Sequence, residues 1–341
     1  MSNAHLIWSQ RFLKHVPPVG HPEQVARASV MQKVAEGWIS DGGSASEPNQ
    51  GAAEHILRVH SRQHFENIEK TAGSNFRFDQ DTYASPESSL VAKLAVGASI
   101  DAVDYALSGK PAVAFVRPPG HHAEQDRAMG FCFYNNIAIA ASYALSSGRK
   151  KIAIVDYDVH HGNGTQWMFY DDPRVLYISI HQYPFYPGTG AADDVGRNDG
   201  AGFTVNIPLA AGAGDADYML LLNRLVIPIL RQFNPDLLLL SSGYDAHVDD
   251  PLGGMNLSTR GFAEIMRKLR EVSDECCEGR IITVTEGGYN LGVLEECLAV
   301  TLEIMAGVTF DSFEGNRKAE ELAETSLDKV LSAQSSFWPG L

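Results

Sequence analysis

Two aspartates and two histidines fall within six residues in Asp156-Tyr-Asp-Val-His-His161, directly after the apolar run 152–155. Such a run predicts a strand covered on both faces, and the glycines at 162 and 164 then break it. Side chains alternate across a strand, so Asp156, Asp158 and His160 are expected on one face, with Val155, Tyr157 and Val159 on the other. Carboxylate oxygen and imidazole nitrogen form a borderline donor set that suits zinc, and an open coordination position would make the ion catalytic rather than structural. A solvated strand end with a capping histidine accounts for a lone Asp-x-His. It does not account for so dense a cluster.

A third oxygen donor is expected from another strand end. Asp245, shortly after the leucine run 237–240, is the first candidate. Asp249 and Asp250 are runners-up, although their place before Pro251 suits a turn, and His247 reads as a loop residue. Zinc held by two acids and a histidine acidifies water and polarises a carbonyl. Amide hydrolysis also needs a proton acceptor for the water, a donor for the leaving amine and a stabiliser for the oxyanion. His121 and His122 titrate near neutrality and suit the first two roles. Tyr289, freed by Gly287 and Gly288, suits the third, worth about 3 kcal/mol for one well-placed donor. Taken singly, tandem histidines can cap a helix and a tyrosine after two glycines can close a turn. Their occurrence beside the metal row points to hydrolysis.

These residues have to be carried by an alternating framework. Strands are predicted at 5–9, 112–116, 151–159, 175–180, 203–208, 236–241 and 280–285. Helical spacing falls at 23–38, 52–71 (one or two helices), 88–107, 135–146, 215–232 and 258–275, with a peripheral helix near 319–331 in a more polar segment, 310–341. Residues 41–50 read as a polar connection and 72–88 as a long surface loop. This alternation implies an α/β chain, one domain over 1–341, with a mostly parallel sheet between helices. In such sheets ligands bind beyond the carboxyl ends of the strands. The polar outliers that follow 116, 155, 240 and 284 fall at the carboxyl-terminal parts of four predicted strands.

Composition narrows the function further. With 27 Lys+Arg against 42 Asp+Glu the formal charge is -15, which argues against a nucleic-acid backbone as partner and favours cationic substrates, or serves solubility alone. Cys132, Cys276, Cys277 and Cys297 lack Cys-x-x-Cys spacing and read as reduced thiols of a cytoplasmic protein. Neither a signal peptide at the N-terminus nor an apolar run of membrane-spanning length is visible.

Several motifs carry a resemblance. Arg117-Pro-Pro-Gly-His-His-Ala123, Gly130-Phe-Cys-Phe-Tyr-Asn-Asn136, the Asp156 to Thr165 row, Tyr186-Pro-Gly-Thr-Gly190, Gly243-Tyr-Asp-Ala-His247 and Glu286-Gly-Gly-Tyr289 resemble the ordered motifs of the zinc-dependent histone deacetylase superfamily. The resemblance covers about 21–306. Its wording is closest to the class II and bacterial deacetylase-like amidohydrolase branch, related to the acetylpolyamine amidohydrolases. It implies the arginase/deacetylase fold, with Asp158, His160 and Asp245 holding one catalytic zinc. It further implies His122 as the main general base and acid, His121 as its electrostatic partner, and the pairs His121 with Asp156 and His122 with Asn163. Class I members usually carry Asp where Asn163 stands. Tyr289 is expected to polarise the acyl carbonyl, and a structural potassium site is implied at Asp156, Asp158, the backbone of His160, and Ser179.

By the same comparison Phe131 and Tyr186 wall a tunnel for an acyl-lysine stem, whose methylenes are buried at roughly 0.8 kcal/mol each. Gly130 lets that wall approach closely, and Arg27, Gly287 and Gly288 are expected at an inner cavity. The family's N-terminal His-Pro-Glu-Arg-Pro is only partly kept in His21-Pro-Glu-Gln-Val25. Leu252 stands where polyamine-type relatives carry Glu, which favours acyl-lysine in peptides or proteins over acetylated polyamines. Glu23, Asp79, Asp81 and Glu87, in loops near the mouth, are the counterargument. An arginase-like two-manganese hydrolase would need more bridging aspartates, and a silent acyl-lysine binding module would have lost His122, a zinc ligand or Tyr289. The resemblance leaves room for a homo-oligomer, though no helix advertises an interface.

Overall fold

The computed structural model describes residues 4–309 and 321–341. Its strands are β1 (His5–Ile7), β2 (Ser44–Ser46), β3 (Phe76–Arg77), β4 (Tyr83–Ala84), β5 (Ala112–Ala114), β6 (Ile152–Asp156), β7 (Val175–Gln182), β8 (Thr204–Leu209), β9 (Leu237–Ser242) and β10 (Ile281–Thr285). Its helices are α1 (Val25–Ser40), α2 (Ala53–Ile56), α3 (Arg62–Glu69), α4 (Ser88–Leu107), α5 (Asn136–Ser146), α6 (Asn163–Phe169), α7 (Asp215–Leu221), α8 (Ile227–Phe233), α9 (Thr259–Cys277), α10 (Leu291–Met305) and α11 (Glu321–Gln334).

Eight strands form one sheet in the order β2-β1-β5-β10-β9-β6-β7-β8, and every pairing in it is parallel. The aliphatic runs behave as strands buried on both sides, with alternate residues entering different cores. Ala153 and Val155 of β6, and Leu238 and Leu240 of β9, face one hydrophobic cluster with residues of α9 and α10. Ile152, Ile154, Leu237 and Leu239 face the other, with residues of α4 and α5. Polar caps begin several helices: Asn135 Oδ1 accepts from Ala138 N at 3.0 Å, and Ser258 Oγ from Gly261 N at 3.1 Å.

Where the local pattern misleads, the cause is visible. The strand predicted over 151–159 stops at Asp156. The connection at 41–50 contains edge strand β2, which no apolar pattern marks; its Ser44 and Ser46 hydroxyls bond the His5 ring at 2.7 and 2.9 Å. Within 72–88, β3 and β4 pair antiparallel, and Asp79 Oδ1 pins their turn by accepting from Thr82 N at 2.7 Å. The helix predicted over 215–232 widens into a π-helical stretch, Leu222–Val226, between α7 and α8. Pro228 has no N–H for the preceding turn and its ring crowds the carbonyl behind it. Of the predicted helix at 319–331, residues 319 and 320 lie outside the described residues.

One consequence of the strand order matters for chemistry. Strands β5, β10, β9 and β6 are consecutive neighbours in the sheet, and being parallel they end on the same side. The polar segments that follow them therefore share one rim.

Candidate active site

Beyond Asp156 the chain turns in short bends held by its own carboxylates. Asp156 Oδ1 accepts from Asp158 N at 3.2 Å and Asp158 Oδ1 from His160 N at 2.9 Å. The expected alternation therefore does not extend past the strand, and Asp156 parts company with the other two. Asp158, His160 and Asp245 each place one donor atom within 4.8 Å of the others. His160 Nδ1 lies 3.2 Å from both Asp158 Oδ1 and Asp245 Oδ2. Asp249, with a side chain 69% exposed, and Asp250, whose carboxylate binds backbone N–H groups, are not part of the cluster. Nor is His247, which stacks on Phe262. Asp158 Oδ2 accepts from Gly287 N at 2.8 Å, and any side chain at 287 would strike both carboxylates.

The electrostatics favour a cation. Burial pushes Asp245 up to about 7, and the neighbouring Asp158 charge adds to the effect. Burial would likewise discharge His160, but hydrogen bonds to Asp158 and Asp245 lift it to about 9. Burial acts on Glu286 too, reinforced by Asp156 and Asp158, and holds it at about 7. The buried acids outnumber the cations that neutralise them. Two carboxylate oxygens and one imidazole nitrogen fit a zinc ion in number, softness and spacing.

The tandem histidines differ sharply. His121 Nδ1 is 3.0 Å from Asp156 Oδ2, and although burial opposes its charge, Asp156, Asp158 and Glu286 raise it to about 10. His122 is driven well below its ordinary value by burial and then by the His121 and His160 charges, with Nδ1 2.8 Å from Asn163 Oδ1. The turn presenting the pair is held by Glu286, whose Oε2 accepts from Gly120 N at 2.6 Å and His121 N at 3.2 Å. The sequence places Glu286 in the Glu-Gly-Gly-Tyr motif but does not disclose this role. An acid beside two glycines directly after an apolar run is the signal available in the sequence.

A cavity of 570 Å³ opens over the triad, lined by Gly130, Phe131, Tyr186, Leu252, His121, His122, His160, Gly287 and Tyr289. Phe131 has φ +67 after Gly130 at φ +56, a left-handed pair that costs a side-chain-bearing residue about 1–3 kcal/mol. A side chain at 130 would strike the His122 ring. Phe185, absent from the sequence reading, also lines the cavity and stacks on His160 with ring centroids 5.2 Å apart. Tyr289 meets Phe131 edge-on at 5.8 Å.

The packing places the other expected residues and corrects three of them, Glu23, Asp79 and Glu87. Arg27 and Gly288 lie behind this cavity rather than on its wall. Arg27 is fully buried behind it, with its guanidinium 5.1 Å from the Tyr289 ring centroid and Nε donating to Gly288 O at 2.8 Å. Glu23 does not face the mouth, because its carboxylate is buried between Arg27 and Arg117. Asp79 is spent on its own turn and Glu87 pairs with Lys14, which leaves Asp81 as the one of those four acids on the cavity wall. Ser179 stands beside Asp156 across β6 and β7, with Oγ 2.9 Å from His181 Nδ1.

The four cysteines are free thiols. Among the described residues no helix is long and apolar enough to cross a membrane.

Comparison with known proteins gives a consistent picture. Residues 21–305 match the model of the histone deacetylase domain. A probable deacetylase of Archaeoglobus fulgidus is 38% identical over 308 residues, covering 89% of this chain and 86% of that protein. Histone deacetylase 15 of Arabidopsis thaliana is 39% identical over 297 residues, 84% of this chain but only 53% of that protein, so the chain spans about half of that relative. The crystal structure of the HDA15 HD domain matches with a TM-score of 0.92 at 35% identity, over 99% of this chain and 96% of that one.

Proposed function

This chain belongs to the histone deacetylase family, and we propose that it is a zinc-dependent amidohydrolase removing acetyl or other acyl groups from the lysine ε-amine of peptides or proteins. The observation that carries this reading is the Asp158, His160 and Asp245 cluster at an apolar cavity also lined by His121, His122 and Tyr289.

Zinc held by that cluster would polarise the acyl carbonyl and acidify a water. The remaining steps belong to the chain. Phe131 and Tyr186 take the lysine methylenes and exclude bulk water. His122, kept neutral by burial and with Nδ1 committed to Asn163, uses Nε2 to take a proton from the attacking water and returns it to the leaving amine. His121, held charged by Asp156, stabilises the negative charge that develops nearby. Tyr289, whose hydroxyl burial keeps protonated, donates to the acyl oxygen as it becomes an oxyanion. The same reading includes a structural potassium ion near Asp156, Asp158, the His160 carbonyl and Ser179, supported by the adjacency of Asp156 and Ser179.

Release of acetate from an acetyl-lysine peptide by the zinc-loaded protein tests the proposal. No turnover on any acyl-lysine or acylpolyamine, with zinc bound, would sink it and leave a binding module. A second reading, acetylpolyamine deacetylation, is favoured by one observation: Asp81 puts a carboxylate on the cavity wall that also carries Leu252, where it could pair with a distant amine.

A further inference from the structure

We infer that Glu124 is a positioning residue that sets the tautomer of His122 through the side-chain amide of Asn163. The inference rests on the deacylase reading above. Asn163 is 1% exposed at the start of α6, and its amide is bracketed: Oδ1 lies 2.8 Å from His122 Nδ1, and Nδ2 lies 2.7 Å from Glu124 Oε1. A primary amide turned by half a revolution keeps its shape, so only its neighbours can fix which end points where. A carboxylate accepts hydrogen bonds and donates none. With Nδ2 towards Glu124 both contacts are satisfied, whereas the reversed amide would set oxygen against oxygen at hydrogen-bond distance. Glu124, with weaker support from the His122 carbonyl 3.5 Å from Nδ2, therefore makes Asn163 show its oxygen to the imidazole. That oxygen in turn requires a proton on His122 Nδ1, which leaves the basic lone pair on Nε2. Without the constraint, a reversed amide would stabilise the opposite tautomer, whose lone pair points at Asn163 and has no access to a substrate.

The same geometry gives a reason for Asn rather than Asp at 163. A second carboxylate there would face Glu124 as a like charge at contact distance, and the two could not both ionise. Glu124 is itself held from outside. Its other oxygen, Oε2, is 3.1 Å from Arg127 Nη2, and both residues line a separate surface cavity of 630 Å³. The carboxylate is thus divided between Arg127 and Asn163, with Oε1 reserved for the amide.

The test combines ring-nitrogen NMR of His122 with kinetics on an acetyl-lysine peptide. In the Glu124→Ala variant the 15N signals of His122 are expected to leave the Nδ1–H pattern for a tautomer mixture. Its kcat should fall roughly tenfold or more, since a wrong tautomer disables general-base catalysis, with KM and zinc content unchanged. Glu124→Gln, whose carbonyl still accepts from Nδ2, should recover most of both signals. Asn163→Asp should be rescued by Glu124→Gln, the double variant being roughly fivefold more active than Asn163→Asp alone, because contacting residues couple. An unchanged ring pattern in Glu124→Ala overturns the inference whatever happens to kcat, and so do additive losses in the double variant. If the alanine variant does not fold, the double-variant comparison decides. An inert wild type defeats the deacylase reading instead, while the ring spectra still report the tautomer.

Discussion

Asp250 Oδ2 lies 2.6 Å from the backbone nitrogen of Tyr289 and accepts its hydrogen bond, and the same oxygen accepts from Asn290 N at 3.1 Å. An acid 39 residues away thus aims the tyrosine that the proposed mechanism uses as its oxyanion donor. Tyr289→Phe should bind zinc normally and lose roughly 10²–10³ in kcat, the usual cost of one such donor. Asp250→Ala should show a smaller loss of kcat with zinc retained. Wild-type turnover in Tyr289→Phe would remove the tyrosine from the mechanism.

Metal content separates the three candidate aspartates. Asp245→Ala should bring the purified protein to well below one zinc per chain, whereas Asp249→Ala should keep full loading, its side chain being 69% exposed and outside the cluster. Elemental analysis after dialysis gives the answer. Full zinc in Asp245→Ala would show that the oxygen donor has been misassigned.

Stability should respond to acid through Glu23. Its carboxylate is wholly buried and pairs with Arg117 at 2.6 and 2.7 Å and with Arg27 at 2.8 Å. Burial opposes the charge, but Arg117, His15 and Arg27 outweigh it and hold the group far below the usual carboxylate range. A depressed folded value means that the stabilisation is complete above the unfolded value of 4.5 and is lost as pH falls from there towards the folded value. Denaturant titrations at a series of pH values should show stability declining below that point, and Glu23→Gln should flatten the decline. The same variant should lose about 3–5 kcal/mol at neutral pH, because it leaves Arg27 and Arg117 buried with their charge partner removed. An equal acid slope in variant and wild type would exclude Glu23 as its source.

Substrate choice turns on the mouth. If Asp81 reads a distant amine, Asp81→Asn should lower kcat/KM for an acetylated polyamine about tenfold while changing that for an acetyl-lysine peptide little, and added salt should act in the same direction. Equal effects on both substrates would mean that Asp81 shapes the wall and selects nothing.

Much of this protein was legible in its residue order. Aliphatic runs and helical spacing are local signals, so the parallel α/β architecture and the polar strand ends could be read directly. The tandem histidines, the Asp-x-Asp-x-His row and the Gly-Gly-Tyr turn are short motifs that can be recognised without reference to distant chain. Strand β2 was not legible, because an edge strand reading Ser-Ala-Ser carries no apolar period.

The tertiary structure decided the rest, for a physical reason: its contacts join segments far apart in sequence. Asp245 was separated from Asp249 and Asp250 by which carboxylate reaches the bends that follow β6, where it accepts from Val159 N across 86 residues. Glu23 turned out to be a buried clamp for Arg117, 94 residues on, and Arg27 to be packed behind Tyr289, bonding Gly288 across 261 residues. Residue types named the chemistry available to this chain, and only the packing of the strand ends assigned each acid to a metal ligand, a histidine, a backbone turn or a buried arginine.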